Sequence, residues 1–204
     1  MNFKELYQPV HTIIGEGCIN EIPRHVDHFG GTKALTVTDE GLVKIGTVKD
    51  GTDMEARTNM CWAQYMGGLA FSNAGLGMVH AMAHQLGGFY DTPHGVSNAI
   101  LLPYVMKYNL PSCPERYADV AQAFGFDIGG LTATQAAYAA ILYIEELEKS
   151  IRIPKLSETA FKPEDVKTLS ENAMKDTGMP ENPRKATVED VMRVFLNAYL
   201  EINE

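Results

Sequence analysis

Three of the chain's six histidines lie close together, in the segment VHAMAHQLGGFYDTPHG. His80 and His84 are four residues apart in a helical pattern, so both project from one face of a helix about one turn apart. His94 follows a Gly-Gly pair and a proline, and a turn there could return it over the same face. Neutral imidazoles are good ligands for a divalent metal ion. The spacing therefore predicts a metal site or a catalytic site.

The residues next to these histidines limit which kinds of metal site are expected. Ala81 follows His80, where a zinc metalloprotease has the glutamate that acts as its general base, so that class of hydrolase is excluded. Three imidazoles without a carboxylate suit zinc, whereas ferrous iron usually has a carboxylate ligand. Asp91 is the local carboxylate, although its position is better explained by the formation of a turn. Zinc and iron both stay open at this point.

The elements that must position the histidines are mostly helices. Residues 51–204 have apolar side chains at helical spacing, which predicts six to eight helices in an all-helical domain. Residues 1–50 instead contain short β-branched runs, VHTIIGEGCINEIP and TKALTVTDEGLVK, typical of the strands that begin an α/β unit. No second parallel strand follows them in the sequence. The chain is therefore predicted to be mainly α, with a short β-containing N-terminal segment.

Local patterns predict how these helices begin, end and pack. Thr132 or Thr134 is the expected N-cap of a long helix, and Gly87 and Gly88 are expected to end the helix that carries His80. Five large apolar residues at helical spacing are expected to lie in the core: Met60, Trp62, Met66, Met78 and Met82.

Composition indicates which classes of binding partner and which cellular compartment to expect. The net charge of −9 argues against a nucleic-acid partner, because a phosphate backbone requires a basic surface. The apolar segment 64–90 is interrupted by polar residues and two histidines, so a buried helix is expected rather than a membrane span. The three cysteines are odd in number and no secretory signal precedes them, which predicts reduced thiols and a cytoplasmic protein.

The segment from Asp53 to Asn109, which includes all three histidines, closely resembles the central signature of the iron-containing (group III) alcohol dehydrogenases. The later segments RIPKLSE and ENPRKATVEDVMRVFLNAY continue the resemblance, and residues 1–50 look like that family's opening hairpin and first dinucleotide-domain strand. The resemblance implies a truncated α/β N-terminal segment, 1–50, and a helical metal-binding domain, 51–204. It also implies NAD-linked oxidation of primary alcohols to aldehydes, and association into a homo-oligomer.

Particular residues acquire expected roles from this resemblance. His80 and His94 match two of the four protein ligands to the active-site metal, which would be Fe²⁺ or Zn²⁺. His84 matches a catalytic histidine close to the nicotinamide and the substrate. Asp39 matches the residue whose carboxylate contacts the adenosine ribose and favours NAD, as an acidic residue that accepts from ribose hydroxyls would.

The sequence also departs from the family pattern. A long central segment of the family carries a GGGS-x-x-D phosphate-binding turn and a D-x-x-x-H motif with two further metal ligands. Here KIG runs directly into TVKDGTDMEARTNM, and neither motif is present. The chain alone is therefore expected to be impaired or inactive as a dehydrogenase. Two alternatives stay open: a non-catalytic helical assembly module, and a homodimer whose chains form a shared histidine metal site.

Overall fold

Residues 52–202 are described in a computed structural model, apart from the side chain of Ala56. Within this range the chain is helical and contains no strand, which confirms the mainly α prediction for this part. The β-hairpin and strand predicted within residues 1–50 lie outside the described residues. No helix of the described range is long and apolar enough to cross a membrane.

The chain divides into two compact units, Met1–Ala74 and Gly75–Glu204. The predicted domain boundary between residues 50 and 51 lies outside the described residues and stays a prediction. Between residues 52 and 202 there are seven α-helices, within the predicted range of six to eight: α1 (Met54–Ala74), α2 (Met78–Tyr90), α3 (His94–Asn109), α4 (Pro114–Ala123), α5 (Ala133–Ser150), α6 (Val166–Ala173) and α7 (Val188–Leu200). Single 3₁₀ turns lie at Leu110–Ser112, Leu156–Glu158, Pro163–Asp165 and Met179–Glu181.

Helix α1 belongs to the first unit. Three of its large apolar side chains are exposed, which contradicts part of the core prediction. Met60, Trp62 and Met66 lie on it with 45%, 42% and 59% of their surface exposed, so their assignment to the core is wrong. Met78 and Met82, which belong to the second unit, are fully buried as predicted. Helical spacing shows which side chains share a face, but it does not show whether another element covers that face.

The core of the second unit lies among helices α2, α3, α6 and α7. Helix α2 packs against α3 and α6, and α7 packs against the same two helices. The largest side chains that are fully buried there include Met78, Leu86, Leu101, Leu169 and Phe195. Burying each such side chain contributes about 1.5–3 kcal/mol, so the rotation of α2 about its own axis is strongly fixed. The histidines of α2 are positioned by this packing.

Helices α4 and α5 form a hairpin with a small core of alanines, Ala118, Ala121, Ala136 and Ala140. Thr132 is the N-cap of α5: its hydroxyl accepts from the Gln135 N–H at 3.2 Å, and the Gln135 side chain accepts from the Thr132 N–H at 2.9 Å. Of the two threonines considered, Thr132 is therefore the cap, and Thr134 lies inside the helix. This capping box satisfies two donors that the helix itself leaves without partners.

Candidate active site at the junction of helices α2 and α3

Helix α2 turns its apolar face to the core and carries His80 and His84 beside it. Met78, Ala81 and Met82 are fully buried, while His80 is partly buried and His84 is exposed. The two imidazole rings are one helical turn apart, with their centroids separated by 6.2 Å. The sequence spacing thus places both rings on the solvent edge of a packed helix.

A three-residue turn, Asp91–Pro93, brings His94 back towards these two rings. Asp91 has a φ of 55°, in the left-handed region, and its N–H donates to the Gly87 carbonyl oxygen at 3.0 Å, so Asp91 ends α2. Aspartate tolerates this conformation because its short polar side chain can bond locally. The expectation that Gly87 and Gly88 end the helix is wrong, since both lie inside it. The interpretation of Asp91 as a turn residue is confirmed.

The returning chain places His94 at the first position of α3, beside both histidines of α2. The His94 ring lies 5.4 Å from the His80 ring and 5.4 Å from the His84 ring, measured between centroids. The His84 and His94 rings are nearly parallel, at an interplanar angle of 19°. The three side chains singled out from the sequence are therefore neighbours in space.

Burial and electrostatic repulsion favour the neutral form of His80, the most enclosed of the three rings. The pKa of His80 is lowered, mainly because burial disfavours the charged ring, and further because a charge on His94 or His84 would repel a charge on His80. Asp176 acts in the opposite direction without reversing the shift. A neutral imidazole has the lone pair that a metal ion or a hydroxyl proton requires.

Asp176 is a member of the cluster that the sequence did not reveal. Its Oδ2 accepts from Nδ1 of His84 at 2.8 Å, and its Oδ1 accepts from the Gly178 N–H at 2.8 Å. Burial alone would raise the pKa of this carboxyl, but the two hydrogen bonds, together with electrostatic attraction to His84 and His80, outweigh burial and the net shift is downward. Asp176 is 92 residues from His84 in the chain, and no spacing rule connects them.

Asn98 holds the third histidine. Its side-chain amide donates to Nε2 of His94 at 3.0 Å and to the His94 carbonyl oxygen at 2.9 Å, one turn along α3. The Asn98 Oδ1 atom is buried, and within residues 52–202 it has no hydrogen-bond partner. The lone pair of His94 Nε2 is thus directed to a polar group rather than to bulk water.

As the side chains stand, no group of three or more His, Cys, Asp or Glu residues in the described part of the chain is arranged to hold a metal ion. The set of three imidazoles is therefore a cluster rather than a finished ligand sphere. Asp39, the predicted contact of the adenosine ribose, lies outside the described residues.

Comparison with known proteins shows what the chain as a whole is similar to. The model of the Fe-containing alcohol dehydrogenase family, C-terminal part, matches residues 31–199. The chain is 46% identical over 150 residues to 1,3-propanediol dehydrogenase of Klebsiella pneumoniae, covering 73% of this chain and 39% of that protein. It is 41% identical over 167 residues to NAD-dependent methanol dehydrogenase of Bacillus methanolicus, covering 81% and 43%.

A solved structure shares the helical fold. The alcohol dehydrogenase from Oenococcus oeni superimposes with a TM-score of 0.73 at 46% identity, covering 76% of this chain and 41% of that one. The chain thus spans about two fifths of the length of the relatives that it matches. The matched residues include the histidine cluster and most of the second unit. On this evidence the chain belongs to the iron-containing alcohol dehydrogenase family.

Proposed function

We propose that this chain carries the imidazole part of the catalytic site of a metal-dependent, NAD-linked alcohol dehydrogenase, which interconverts a small primary alcohol and its aldehyde. The observation that carries the proposal is the convergence of His80, His84 and His94 from two helices, with ring centroids 5.4–6.2 Å apart. The relatives named for 1,3-propanediol and methanol support the substrate class.

His80 and His94 would hold the metal, Fe²⁺ or Zn²⁺. Two observations fit this role: the lowered pKa of His80 favours its neutral, ligating form, and its ring lies 5.4 Å from that of His94. Metal binding at His94 Nε2 would replace the hydrogen bond from Asn98, so the site exchanges one partner for another. When bound, the metal would act as a Lewis acid that lowers the pKa of the alcohol.

His84 would occupy the catalytic pocket beside the metal ligands. Its Nδ1 is held by Asp176, which leaves Nε2 to accept a proton or a hydrogen bond. Asp39 would contact the adenosine ribose of NAD and select it over the 2′-phosphorylated cofactor. Each of these roles belongs to the chain's own side chains and can be tested one residue at a time.

We propose further that the chain alone is impaired. Two neutral imidazoles hold a divalent ion weakly, because they do not offset its double charge as the aspartate of the family's missing D-x-x-x-H motif would. The sequence between residues 44 and 53 contains no glycine-rich phosphate-binding turn, which would bind the pyrophosphate at a helix N-terminus. The groups missing from the sequence are those that complete both the metal sphere and the dinucleotide site.

The test is hydride transfer to NAD by the full 204-residue chain, with 1,3-propanediol or methanol as substrate and Fe²⁺ or Zn²⁺ added. The expected rate is far below the roughly 1 per second at the low end of ordinary enzymes. A rate of that size, abolished by His80→Ala, would contradict the impairment and support a complete site. If the chain bound neither Fe²⁺ nor Zn²⁺, that result would contradict the proposed role of His80 and His94.

One observation favours the alternative of an assembly module. Helix α5 exposes the large apolar side chains of Tyr138 and Leu142, which are 45% and 56% exposed and lie one turn apart on one face of the helix. Sedimentation gives the mass of the assembly, and elemental analysis gives the metal per chain. An oligomer with almost no metal supports the module, and about half an ion per chain supports the shared site of a homodimer. The absence of a nucleic-acid or membrane partner and the cytoplasmic location stay predictions.

A further inference from the structure

The segment from Asp176 to Asn182 holds helix α2 at two points. Asn182 Oδ1 accepts from the Met78 N–H, in the first turn of α2, at 3.2 Å. Two turns further along the helix, Asp176 Oδ2 bonds Nδ1 of His84 at 2.8 Å. Gly77, the residue before α2, makes no side-chain capping bond, so the helix receives its cap from this distant segment. The contacts join the helix that carries the imidazoles to a loop more than ninety residues away.

The carboxylate of Asp176 is engaged at both oxygens, and the two donors are different. Oδ1 accepts from the Gly178 backbone N–H at 2.8 Å, a donor that cannot be changed by rotation of a side chain. Oδ2 is therefore the atom directed to the His84 ring. An ionised carboxylate can only accept, so Nδ1 of a neutral His84 ring must carry the hydrogen. The lowered pKa of Asp176 agrees with an ionised carboxylate.

We propose that Asp176 is the positioning residue of His84: it fixes the ring as the Nδ1–H tautomer and so keeps the lone pair on Nε2. The proposal rests on the proposed catalytic role of His84 for its functional meaning, but the tautomer itself can be measured without metal or substrate. In a neutral imidazole one nitrogen donates and the other accepts, and the partner of the first determines the second.

The consequence for chemistry concerns a single proton. With Nδ1 held as a donor, Nε2 can accept a proton that leaves a substrate hydroxyl, and the positive ring that results is stabilised by the Asp176 carboxylate. If the hydrogen moved to Nε2, the ring would present a donor there and could not accept. Asp176 touches none of the reacting atoms in this scheme and acts only through His84.

The geometry predicts an unusual outcome for Asp176→Asn. The variant has one oxygen, and the Gly178 N–H requires an acceptor, so the oxygen stays on that side and the NH₂ group faces His84. This NH₂ group donates to Nδ1, and the ring hydrogen moves to Nε2. Asp165→Asn is the matched control: Asp165 accepts from the Tyr90 hydroxyl at 2.8 Å, so it also bonds a side chain of α2 and loses the same charge.

The experiment is ¹⁵N NMR of the histidine rings in the full chain, at an alkaline pH where the rings are neutral. Wild type and Asp165→Asn should show His84 as the Nδ1–H form. In Asp176→Asn the ratio of the Nδ1–H to the Nε2–H form should fall by about tenfold or more, as loss of one charge-assisted hydrogen bond allows. His84→Gln identifies the His84 signals, and circular dichroism shows that each variant is folded.

An Nε2–H ring in the wild type, or an unchanged Nδ1–H ring in Asp176→Asn, would overturn the proposal. Should Asp176→Asn fail to fold, Asp176→Ala serves in its place, with the same shift towards Nε2–H expected because the acceptor at Nδ1 is gone. Loss of metal binding or of dehydrogenase chemistry bears on the proposed function alone, because the tautomer is measured in the metal-free chain. The two proposals can therefore fail separately.

Discussion

The imidazole cluster at the junction of α2 and α3 and a cavity between α3, α5 and α7 both withdraw ionisable groups from water, with opposite results. The cavity has a volume of about 200 Å³, and its acidic lining residues are Glu145, Glu148 and Glu201. In the cluster burial lowers the pKa of the base His80, whereas in the cavity burial raises the pKa of the acid Glu148 to about 8. Both shifts favour the neutral form.

The two regions differ in how their carboxylates are partnered. In the cavity Glu145 is paired with Lys107 at 2.6 Å and Glu201 with Lys155 at 2.9 Å. Glu148 has an Oε1 atom that is buried without a hydrogen-bond partner in the described part of the chain, and Glu145 repels its charge. In the cluster, by contrast, Asp176 has a donor on each oxygen.

The difference shows what determines whether a carboxyl group withdrawn from water favours its ionised or its neutral form. The pKa of Asp176 is lowered despite burial, because two donors and the attraction of the neighbouring histidines outweigh the cost of burial. Within residues 52–202 the Oε1 atom of Glu148 has no such donor, and burial raises the pKa of Glu148 to about 8. A carboxylate near other groups is therefore not by itself a sign of a site; the donors on its oxygens decide what it does.

The largest effect is expected when a carboxylate of the cavity loses its positively charged partner. Lys107→Met removes the partner of Glu145 and leaves that carboxylate beside Glu148, with little exposure to water. We expect a loss of about 2–4 kcal/mol in the free energy of unfolding at pH 7, because an unpaired buried charge keeps its desolvation cost. Urea denaturation measures it. Adding Glu145→Gln should recover at least half of the loss; no recovery would mean that packing, not charge, is responsible.

The next effect tests the chemistry assigned to the cluster. His80→Ala combined with His94→Ala should lower the affinity for Co²⁺, a spectroscopic substitute for the native ion, by about tenfold or more, because both proposed nitrogen ligands are lost. His84→Gln should change that affinity by less than about threefold, since His84 is assigned to the pocket rather than the metal. Equal losses in the two variants would mean that the three rings bind the ion together.

The sequence predicted the part of the cluster that depends on local geometry. The four-residue spacing of His80 and His84 places both rings along one helix, and the turn before His94 returns that ring to them. These contacts lie within fifteen residues of chain, where helix geometry and turn chemistry decide the outcome. The exact end of α2 was missed, because Asp91 took the left-handed position that the glycines were expected to take.

The sequence could not predict the parts that depend on packing between distant segments. Asp176 bonds His84, and Asn182 bonds Met78, in a region where α6 packs on α2. The exposure of Met60, and the lack of a partner for Glu148 Oε1 within residues 52–202, likewise depend on which other elements cover that face of the helix. Helical periodicity carries no information on either, because it describes one element at a time.

A smaller effect, dependent on pH, sharpens the contrast between the two regions. The carboxyl of Glu148 has a pKa near 4.5 when unfolded and about 8 when folded. Between these values the unfolded chain loses the proton and the folded chain keeps it, so stability falls as the pH rises through this window and is lowest above about 8.

The variant Glu148→Gln cannot ionise and should remove this dependence. Relative to wild type it should gain on the order of 1–2 kcal/mol between pH 4.5 and pH 9, a range reduced to allow for the partial exposure of the side chain. Thermal unfolding at several pH values measures the gain. Glu146→Gln, at an exposed neighbouring position, is the matched control and should show no such gain. Parallel curves for wild type and Glu148→Gln would mean that the carboxyl is solvated.

The smallest effect is expected at Asn98, whose Oδ1 atom is buried beside the imidazole cluster. Asn98→Ala removes the two hydrogen bonds to His94 and also removes the buried Oδ1 that lacks a partner in residues 52–202. The lost bonds and the relieved desolvation nearly cancel, so the free energy of unfolding should change by less than about 1 kcal/mol. Affinity for Co²⁺ should rise slightly, because His94 Nε2 no longer has to release a donor. A loss of 2 kcal/mol or more would mean that Asn98 Oδ1 has a partner after all, and that the cluster, unlike the cavity, contains no unsatisfied oxygen.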